Sequence, residues 1–234
     1  MDNAEKIVEL KNDIDNANHI AFLTGAGVST HSGIPDYRSK NGIYNGVKES
    51  PETILSENTF FNRPALFYNF VMNNMYFPNA KQNQNHEKIA QICNQKGDLI
   101  TQNIDRLDEK AGNKHIVEFH GNLYNIYCTK CHQTLSYNEY ADSYIHKNCG
   151  GIIRPGIVLY GEGINPETLS NSINIMQKSD LVIICGTSFV VYPFAQLLAY
   201  KKPTAKVWAI NKAAINAPEI NEIIADALDI FKKL

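Results

Sequence analysis

A chain of 234 residues is long enough to bury a sizeable core and is most simply one domain, with room for small inserted modules. Its formal net charge of −2 offers no basic field, which disfavours a nucleic-acid partner held through its phosphates. No apolar run approaches the roughly 20 residues that a membrane helix needs. The opening MDNAEKIVEL lacks the apolar stretch of a secretory signal. We therefore expect a soluble, cytoplasmic protein with no membrane partner.

The first half of the chain alternates predicted helices and strands. Apolar residues at helical spacing follow Asn3 and predict an opening helix capped by that residue. HIAFLTG then predicts a short buried strand that leads into the loop TGAGVSTHSGIPDYRS, residues 24–39. Residues 86–96 form a predicted helix that ends at Gly97, and DLITQ and HIVEFHG predict two further strands.

The second half continues this alternation. Asn165 and Pro166 predict the cap and first turn of a helix, LVIICGTS predicts an apolar strand, and KVWAIN predicts a strand that ends at Asn211. Strands that alternate with helices indicate a parallel sheet, and continuously apolar strands indicate that both of its faces are covered. The predicted fold class is therefore α/β, interrupted by two stretches without this rhythm, at 39–85 and 122–153.

Polar residues stand at the carboxyl ends of five predicted strands, where ligands bind in open parallel sheets. The five clusters are Thr24–Arg38, Gln102–Asp105, His120–Gly121, Gly186–Ser188 and Asn211. Glycines such as Gly25 and Gly27 let backbone N–H groups approach phosphate oxygens closely. Thr30 replaces the third glycine of the usual dinucleotide fingerprint, so this stretch alone indicates a plain tight turn equally well. Five polar ends on one rim favour a ligand site.

Three of the five cysteines, Cys128, Cys131 and Cys149, cluster along the chain, whereas Cys93 and Cys185 lie in apolar runs. In a reducing compartment, and with an odd total, such a cluster predicts a metal site rather than disulfides.

Seven motifs occur together in this chain: GAGVSTHSGIPDYRS, TQNID, EFHG, the Cys-x-x-Cys pair, IRPGIVLYGE, GTS and the late IN. This combination resembles the sirtuin family of NAD-dependent protein deacylases. The resemblance covers about residues 3 to 231 in order and spacing. It implies a Rossmann-like, doubly wound parallel sheet (residues 1–38, 86–121 and 154–234) and a small domain of two modules. These are a helical module (39–85) and a zinc-binding module (122–153). NAD and an acyl-lysine peptide would enter the cleft from opposite sides.

The resemblance implies which residues bind NAD. Ser29 would lie near the pyrophosphate, Ile34 and Asp105 would line the nicotinamide pocket, and Tyr37 would shield the reacting ribose carbon from water. The full implied set is Gly25, Ala26, Gly27, Ser29, Ile34, Asp36, Tyr37, Arg38, Gln102, Asn103, Ile104, Asp105, Gly186, Thr187, Ser188, Asn211 and Ala227.

His120 is the implied general base, with Asn103 and Asp105 as the other catalytic residues. A lone histidine at a strand end is more often structural, but within EFHG the catalytic interpretation is favoured. An imidazole with an ordinary pKa near 6.5 can accept a proton at neutral pH. In the family's reaction the histidine deprotonates a ribose hydroxyl, and nicotinamide, O-acetyl-ADP-ribose and free lysine are the products.

The resemblance also implies how the peptide and the acyl group bind. A strand over 157–162 and the loop 189–191 would hold the peptide between them by strand addition. The implied contacts are Val158, Tyr160, Gly161, Glu162 and Val190. Family members that prefer succinyl-lysine carry a Tyr-x-x-Arg pair on the helical module. Here Tyr68 is present but Val71 stands in place of the arginine, so we expect a preference for neutral acyl groups.

The metal site departs from the family pattern, because His146 stands where a third cysteine is usual, three residues before Cys149. Cys₃His is a known structural zinc set, so the implied ligands are Cys128, Cys131, His146 and Cys149. The alternative is a degenerate module held by packing alone.

We expect an NAD-dependent protein-lysine deacetylase that acts on acetylated proteins. One alternative keeps the fold and removes other neutral acyl groups or transfers ADP-ribose to protein. The other is a non-catalytic NAD-binding sensor, against which the joint presence of His120, Asn103 and Asp105 argues, since binding needs no general base.

Overall fold

The computed structural model describes residues 2–36, 42, 49–215 and 219–234. Its strands, in chain order, are β1 (Ile20–Thr24), β2 (Gly97–Thr101), β3 (Ile116–Glu118), β4 (Gly121–Cys128), β5 (Thr134–Leu135), β6 (Ile153–Ile157), β7 (Leu181–Cys185), β8 (Lys206–Asn211) and β9 (Asn221–Ile224). Its α-helices are α1 (Asn3–Asn16), α2 (Pro51–Ile54), α3 (Glu57–Asn62), α4 (Pro64–Asn74), α5 (Gln84–Lys96), α6 (Leu107–Lys110), α7 (Tyr137–Asp142), α8 (Pro166–Lys178) and α9 (Ala227–Phe231).

The larger sheet is parallel throughout, with the order β3-β2-β1-β7-β8-β9. Successive residues of β1 face opposite sides, and both sides are buried. Phe22 packs with residues of α1, α5 and α9, whereas Leu23 packs with α8 and with a 3₁₀ segment at Phe194–Tyr200. The predicted α/β class with a covered parallel sheet is confirmed.

A second core lies beside this sheet. The antiparallel order β5-β4-β6 and the helices α2, α3, α4 and α7 share one hydrophobic cluster. Tyrosine hydroxyls join the two stretches: Tyr76, two residues after α4, donates its Oη to the carbonyl of Leu123 in β4 at 2.6 Å, and Tyr68 in α4 donates its Oη to the carbonyl of Ala141 in α7 at 2.6 Å. The stretches 39–85 and 122–153, where they are described, therefore pack against each other.

Several local expectations are corrected. Asp2 rather than Asn3 caps α1, in a capping box with Glu5. The helix predicted from residue 86 begins at Gln84, and β9 has no counterpart among the predicted strands. The expected strand over 157–162 ends at Ile157, because its partner β4 begins at Gly121, the residue that pairs with Ile157. The chain then turns through Gly161, whose φ of +96° is unfavourable for other residues.

Among the described residues, no helix combines the length and the apolar character needed to cross a membrane.

Candidate active site

A cleft of about 860 Å³ runs along the carboxyl edge of the parallel sheet and brings most of the predicted site residues together. Those lining it are Gly25, Ala26, Gly27, Asp36, Gln102, Asn103, Ile104, His120, Val158, Tyr160, Gly161, Glu162, Gly186, Thr187, Ser188, Val190, Asn211 and Ala227. A small side pocket adjoins it, sharing Ala26, Asn103 and Ile104 with the cleft. Ser29, Ile34 and Asp105 line this pocket. The five polar strand ends therefore do meet on one rim.

The loops after β1 and β7 meet backbone to backbone at the floor of the cleft. The amide of Gly27 donates to the carbonyl of Gly186 at 2.8 Å. A Cβ at Gly27 would lie 2.7 Å from the Cα of Gly186, and Gly186 itself has a φ of +62°. No side chain fits between these loops. The floor is consequently built of backbone, which suits the close approach of phosphate oxygens.

Side-chain hydrogen bonds link three strand ends across this floor. Gln102 Nε2 donates to Thr187 Oγ1 at 2.8 Å, and the amide of Thr187 donates to Asn211 Oδ1 at 3.0 Å. The Nδ2 of Asn211 is buried without a hydrogen-bond partner among the described residues. Buried donors are normally satisfied, and Asn211 belongs to the lining of the cleft, so its unpaired Nδ2 is a candidate donor for a ligand there. The backbone floor and this amide fit the phosphates and a ribose of a dinucleotide.

The side pocket is held by a buried hydrogen-bond network around Ser29. Ser29 Oγ donates to Asp105 Oδ2 at 2.6 Å and lies 3.2 Å from His86 Nε2. The amide of Asn83 donates to His86 Nδ1 at 3.1 Å, so in the neutral ring the proton is on Nε2 and points at Ser29. Burial lowers the pKa of His86 despite the nearby Asp105, which keeps the ring neutral. Asn103 Nδ2 joins the network at 3.4 Å from Ser29 Oγ.

His120 follows β3 directly and stands where β4 begins. Its ring lies against Phe119 and Phe194, with ring centroids 5.4 and 6.3 Å away. Burial lowers the pKa of His120, and a hydrogen bond with the backbone of Gln102 partly offsets this effect. The imidazole is therefore neutral at pH 7 and can accept a proton in the cleft.

The candidate metal ligands form a compact group whose ligand atoms all lie within 4.8 Å of one another: Cys128, Cys131, His146 and Cys149. The Sγ atoms of Cys128 and Cys149 are 3.4 Å apart, and His146 Nδ1 lies 3.3 and 3.2 Å from the Sγ atoms of Cys131 and Cys149. A tetrahedral zinc separates such ligand atoms by about 3.6–3.8 Å. Burial raises the pKa of Cys128, but hydrogen bonds from its neighbours, foremost the amides of Cys131 and Lys130, lower it to about 6. This Cys₃His set fits a structural zinc, with no ligand position left for catalysis.

Three expected residues are absent from the described lining of both the cleft and the side pocket. Tyr37 and Arg38 lie outside the described residues. The expectation that Tyr68 contacts the acyl group stays a prediction: Tyr68 is absent from the lining of the cleft, its hydroxyl donates to the carbonyl of Ala141, and its ring packs on Tyr140 and Tyr144. Tyr68 packs on α7, where Ala141 accepts its hydroxyl and Tyr140 contacts its ring, and a linear motif does not reveal this packing.

Sequence reasoning missed two further polar residues beside the cleft, His86 and Arg154. His86 follows the cap residue Asn83 by three positions, the spacing of a capping box, and this was its available signal. Arg154 interrupts the apolar run IIRPGIVLY, where a charge requires a partner. That partner is Glu162 on the wall of the cleft.

Comparisons with known proteins agree with this geometry. A Sir2 family model matches residues 25–193. An NAD-dependent protein deacetylase of Listeria innocua is 48% identical over 96% of this chain and 99% of its own length. A structure on the mechanism and regulation of Sir2 enzymes superposes with a TM-score of 0.88 at 31% identity, covering 98% of this chain and 96% of that one. A complex of Sir2 with a p53 peptide and NAD⁺ superposes with a TM-score of 0.85 at 29% identity, covering 96% of this chain and 95% of that one. The chain belongs to the Sir2 family.

Proposed function

We propose that this protein removes acetyl groups from protein lysines in an NAD-dependent reaction, with His120 as the general base. The observation that carries this proposal is that His120 lines the same cleft as the backbone floor of Gly27 and Gly186 and the segment 158–162. The reaction yields nicotinamide, O-acetyl-ADP-ribose and free lysine. When bound, NAD supplies the ADP-ribose that accepts the acetyl group.

The cofactor lies along the carboxyl edge of the sheet in this proposal. The floor at Gly25–Gly27 and Gly186 takes the pyrophosphate, and Asn211 donates its unpaired amide to the adenosine ribose. The remaining contacts at this end come from Thr187, Ser188 and the backbone at Ala227. At the other end Gln102 contacts the second ribose and Asp36 lines the cleft, whereas the expected roles of Tyr37 and Arg38 fall outside the described residues.

The side pocket receives the nicotinamide in this proposal. Ile34 and Ile104 offer apolar surface, whereas Asn103 and Asp105 offer polar groups held by Ser29. Asp105 Oδ1 also accepts from the amide of Leu107 at 2.9 Å, so its carboxylate cannot rotate freely. A fixed polar set of this kind can bind the departing carboxamide in one orientation.

The acyl-lysine peptide lies between the segment 158–162 and the loop at Val190, which is 60% exposed at the mouth of the cleft. This wall and the small second core would form the small domain, with its helical part at 39–85 and its zinc part at 122–153. His120 stands between the peptide and the cofactor, where a neutral imidazole takes a proton from a ribose hydroxyl. Phe119 and Phe194 pack against the ring and cover part of it.

A nicotinamide-release assay tests this function. The purified protein should release nicotinamide from NAD in proportion to the amount of acetylated peptide added. The same peptide without the acetyl group should give no release. His120→Ala should lower deacetylation by about 10²–10⁴-fold while NAD binding remains. Release without any acetylated peptide would indicate ADP-ribosyl transfer, and NAD binding with no release would indicate a sensor.

A further inference from the structure

Arg154 and Glu162 form a bidentate ion pair behind the wall of the cleft. Nη1 of Arg154 lies 2.6 Å from Oε1 of Glu162, and Nη2 lies 3.0 Å from Oε2. Arg154 is 6% exposed, and its guanidinium carbon stands 5.0 Å from the centre of the Phe60 ring. A pair this buried is stable only if its remaining hydrogen-bonding groups also find partners.

Those partners are backbone groups of the segment between the two residues. Nη2 of Arg154 also donates to the carbonyl of Ile157 at 2.7 Å, and Oε2 of Glu162 accepts from the amide of Leu159 at 2.8 Å. The amide of Glu162 in turn donates to the carbonyl of Leu159 at 2.9 Å. The ion pair thus holds both ends of the segment 157–162, of which only Ile157 belongs to a strand.

The same segment is tied to the proposed base and to the helical side of the cleft. The amide of Val158 donates to the carbonyl of His120 at 2.9 Å. The amide of Tyr160 donates to Leu55, and its carbonyl accepts from the amide of Glu57, at 2.9 and 3.0 Å. A shift of this segment would therefore displace the peptide wall relative to His120.

A peptide that binds by strand addition needs the backbone groups of its neighbour at fixed spacing. Burial raises the pKa of Glu162, and the hydrogen bonds from Arg154 and Leu159 outweigh it, leaving the carboxyl pKa below its ordinary value. Glu162 is therefore ionised, and Arg154 compensates its charge. The wall offers ordered backbone without a free carboxylate, which suits a neutral acyl-lysine.

We propose that Arg154 is a positioning residue for the acyl-lysine peptide, acting through Glu162 and Ile157 to set the shape of the segment 157–162. The proposal rests on the proposed deacetylase function, since that function supplies the peptide. Arg154 contacts neither reactant. We therefore expect Arg154 to affect the affinity for the peptide and not the affinity for NAD.

Arg154→Lys is the decisive variant, because lysine keeps the charge but cannot bond both Glu162 oxygens and Ile157 in one plane. We expect the peptide KM to rise by at least about tenfold, with the KM for NAD within about twofold of wild type. Glu162→Gln should also raise the peptide KM. It is the milder change and serves as the test if Arg154→Lys folds poorly. Arg63→Lys is the matched control, since Arg63 forms an exposed ion pair with Glu49 and should leave both KM values unchanged.

Calorimetric titration of each variant with the acetylated peptide, without turnover, completes the test. Weaker peptide binding in both variants, at unchanged zinc content and unchanged NAD affinity, supports the proposal. Peptide affinities equal to wild type would overturn it, and so would losses of peptide and NAD affinity in equal proportion. If wild type bound the acetylated peptide but did not deacetylate it, the proposed function would fail while the affinities of the variants still decided the role of Arg154.

Discussion

The Nε2 atom of His86 lies 3.2 Å from Oγ of Ser29, and neither side chain is more than 1% exposed. His86 donates to Ser29, and Ser29 donates to Asp105, so the orientation of the carboxylate in the side pocket depends on a histidine that does not line that pocket. His86 therefore acts through other residues on the proposed nicotinamide site.

Replacing His86 should affect both stability and the nicotinamide step. His86→Leu removes the shorter of the two donors to Ser29 and the acceptor of the Asn83 amide, and an unsatisfied buried polar group costs about 1–3 kcal/mol. We expect a lower Tm and slower nicotinamide exchange, measured by incorporation of labelled nicotinamide into NAD. His86→Gln retains a donor and should recover part of the exchange. His115→Gln, at the opposite end of the sheet, serves as the control. Equal rates of nicotinamide exchange in His86→Leu and wild type would contradict the role of His86.

The activity should persist below neutral pH because burial lowers the pKa of His120 from 6.5. The base acts in its neutral form, so kcat/KM should fall as the pH drops through the folded-state pKa, with the midpoint of the acid limb below 6.5. A pH–rate profile at constant ionic strength measures this midpoint. A midpoint above 6.5 would show that an anionic neighbour, and not burial, controls the ring.

Protonation of the same buried imidazoles opposes folding. The folded-state pKa values of His86 and His120 lie below those of the unfolded chain, so the unfolded state binds more protons as the pH falls below about 6.5. Their contribution to stability is complete above that pH and declines below it. The stability gap between wild type and His86→Leu should accordingly narrow between pH 7 and pH 5.5 in denaturant titrations. A gap that widened on acidification would contradict the neutral state of His86.

The freshly purified protein should contain about one zinc per chain. Binding energy at a structural metal is folding energy, so a chelator should lower the Tm. His146→Ala should reduce the zinc content. His132→Asn, in the turn that carries Cys131, removes a histidine from outside the ligand group, and asparagine tolerates the φ of +59° found there. Full zinc content in His146→Ala would show that His146 is not a ligand.

Acetyl-lysine should be strongly preferred over succinyl-lysine. Val71 is fully buried in the second core, and Arg63 is bound to Glu49. Lys212 is the one lysine or arginine among the described residues that line the cleft, and it pairs with Asp226 near Ala227. A carboxylate without a partner loses several kcal/mol, and about 3 kcal/mol is already on the order of a hundredfold in specificity. We expect kcat/KM ratios of this order for matched peptides, and equal values would contradict this description of the pocket.

The strand ends of the larger sheet could be predicted from the sequence. Continuous apolar runs such as HIAFLTG and LVIICGTS identify buried parallel strands locally, and the polar residues that follow them must reach the same rim. Gly27 and Gly186, which build the backbone floor, stand at or just after the ends of these two runs, so their place on the rim could also be predicted. The clustered cysteines predict a metal site from the sequence alone, because Cys128 and Cys131 are close along the chain, whereas His146 is implied by the family resemblance.

Tertiary structure decided what depends on residues far apart in sequence. His86 and Ser29 are 57 positions apart, and the hydroxyl of Tyr68 donates to the carbonyl of Ala141, 73 positions away. The irregular segment after Ile157 likewise takes its shape from partners outside its own periodicity, above all His120 and Leu55. A linear pattern records which side chains are buried or polar. Which buried polar groups satisfy one another is set only when the two cores pack, because each such bond is chosen by geometry and by the cost of leaving it unmade.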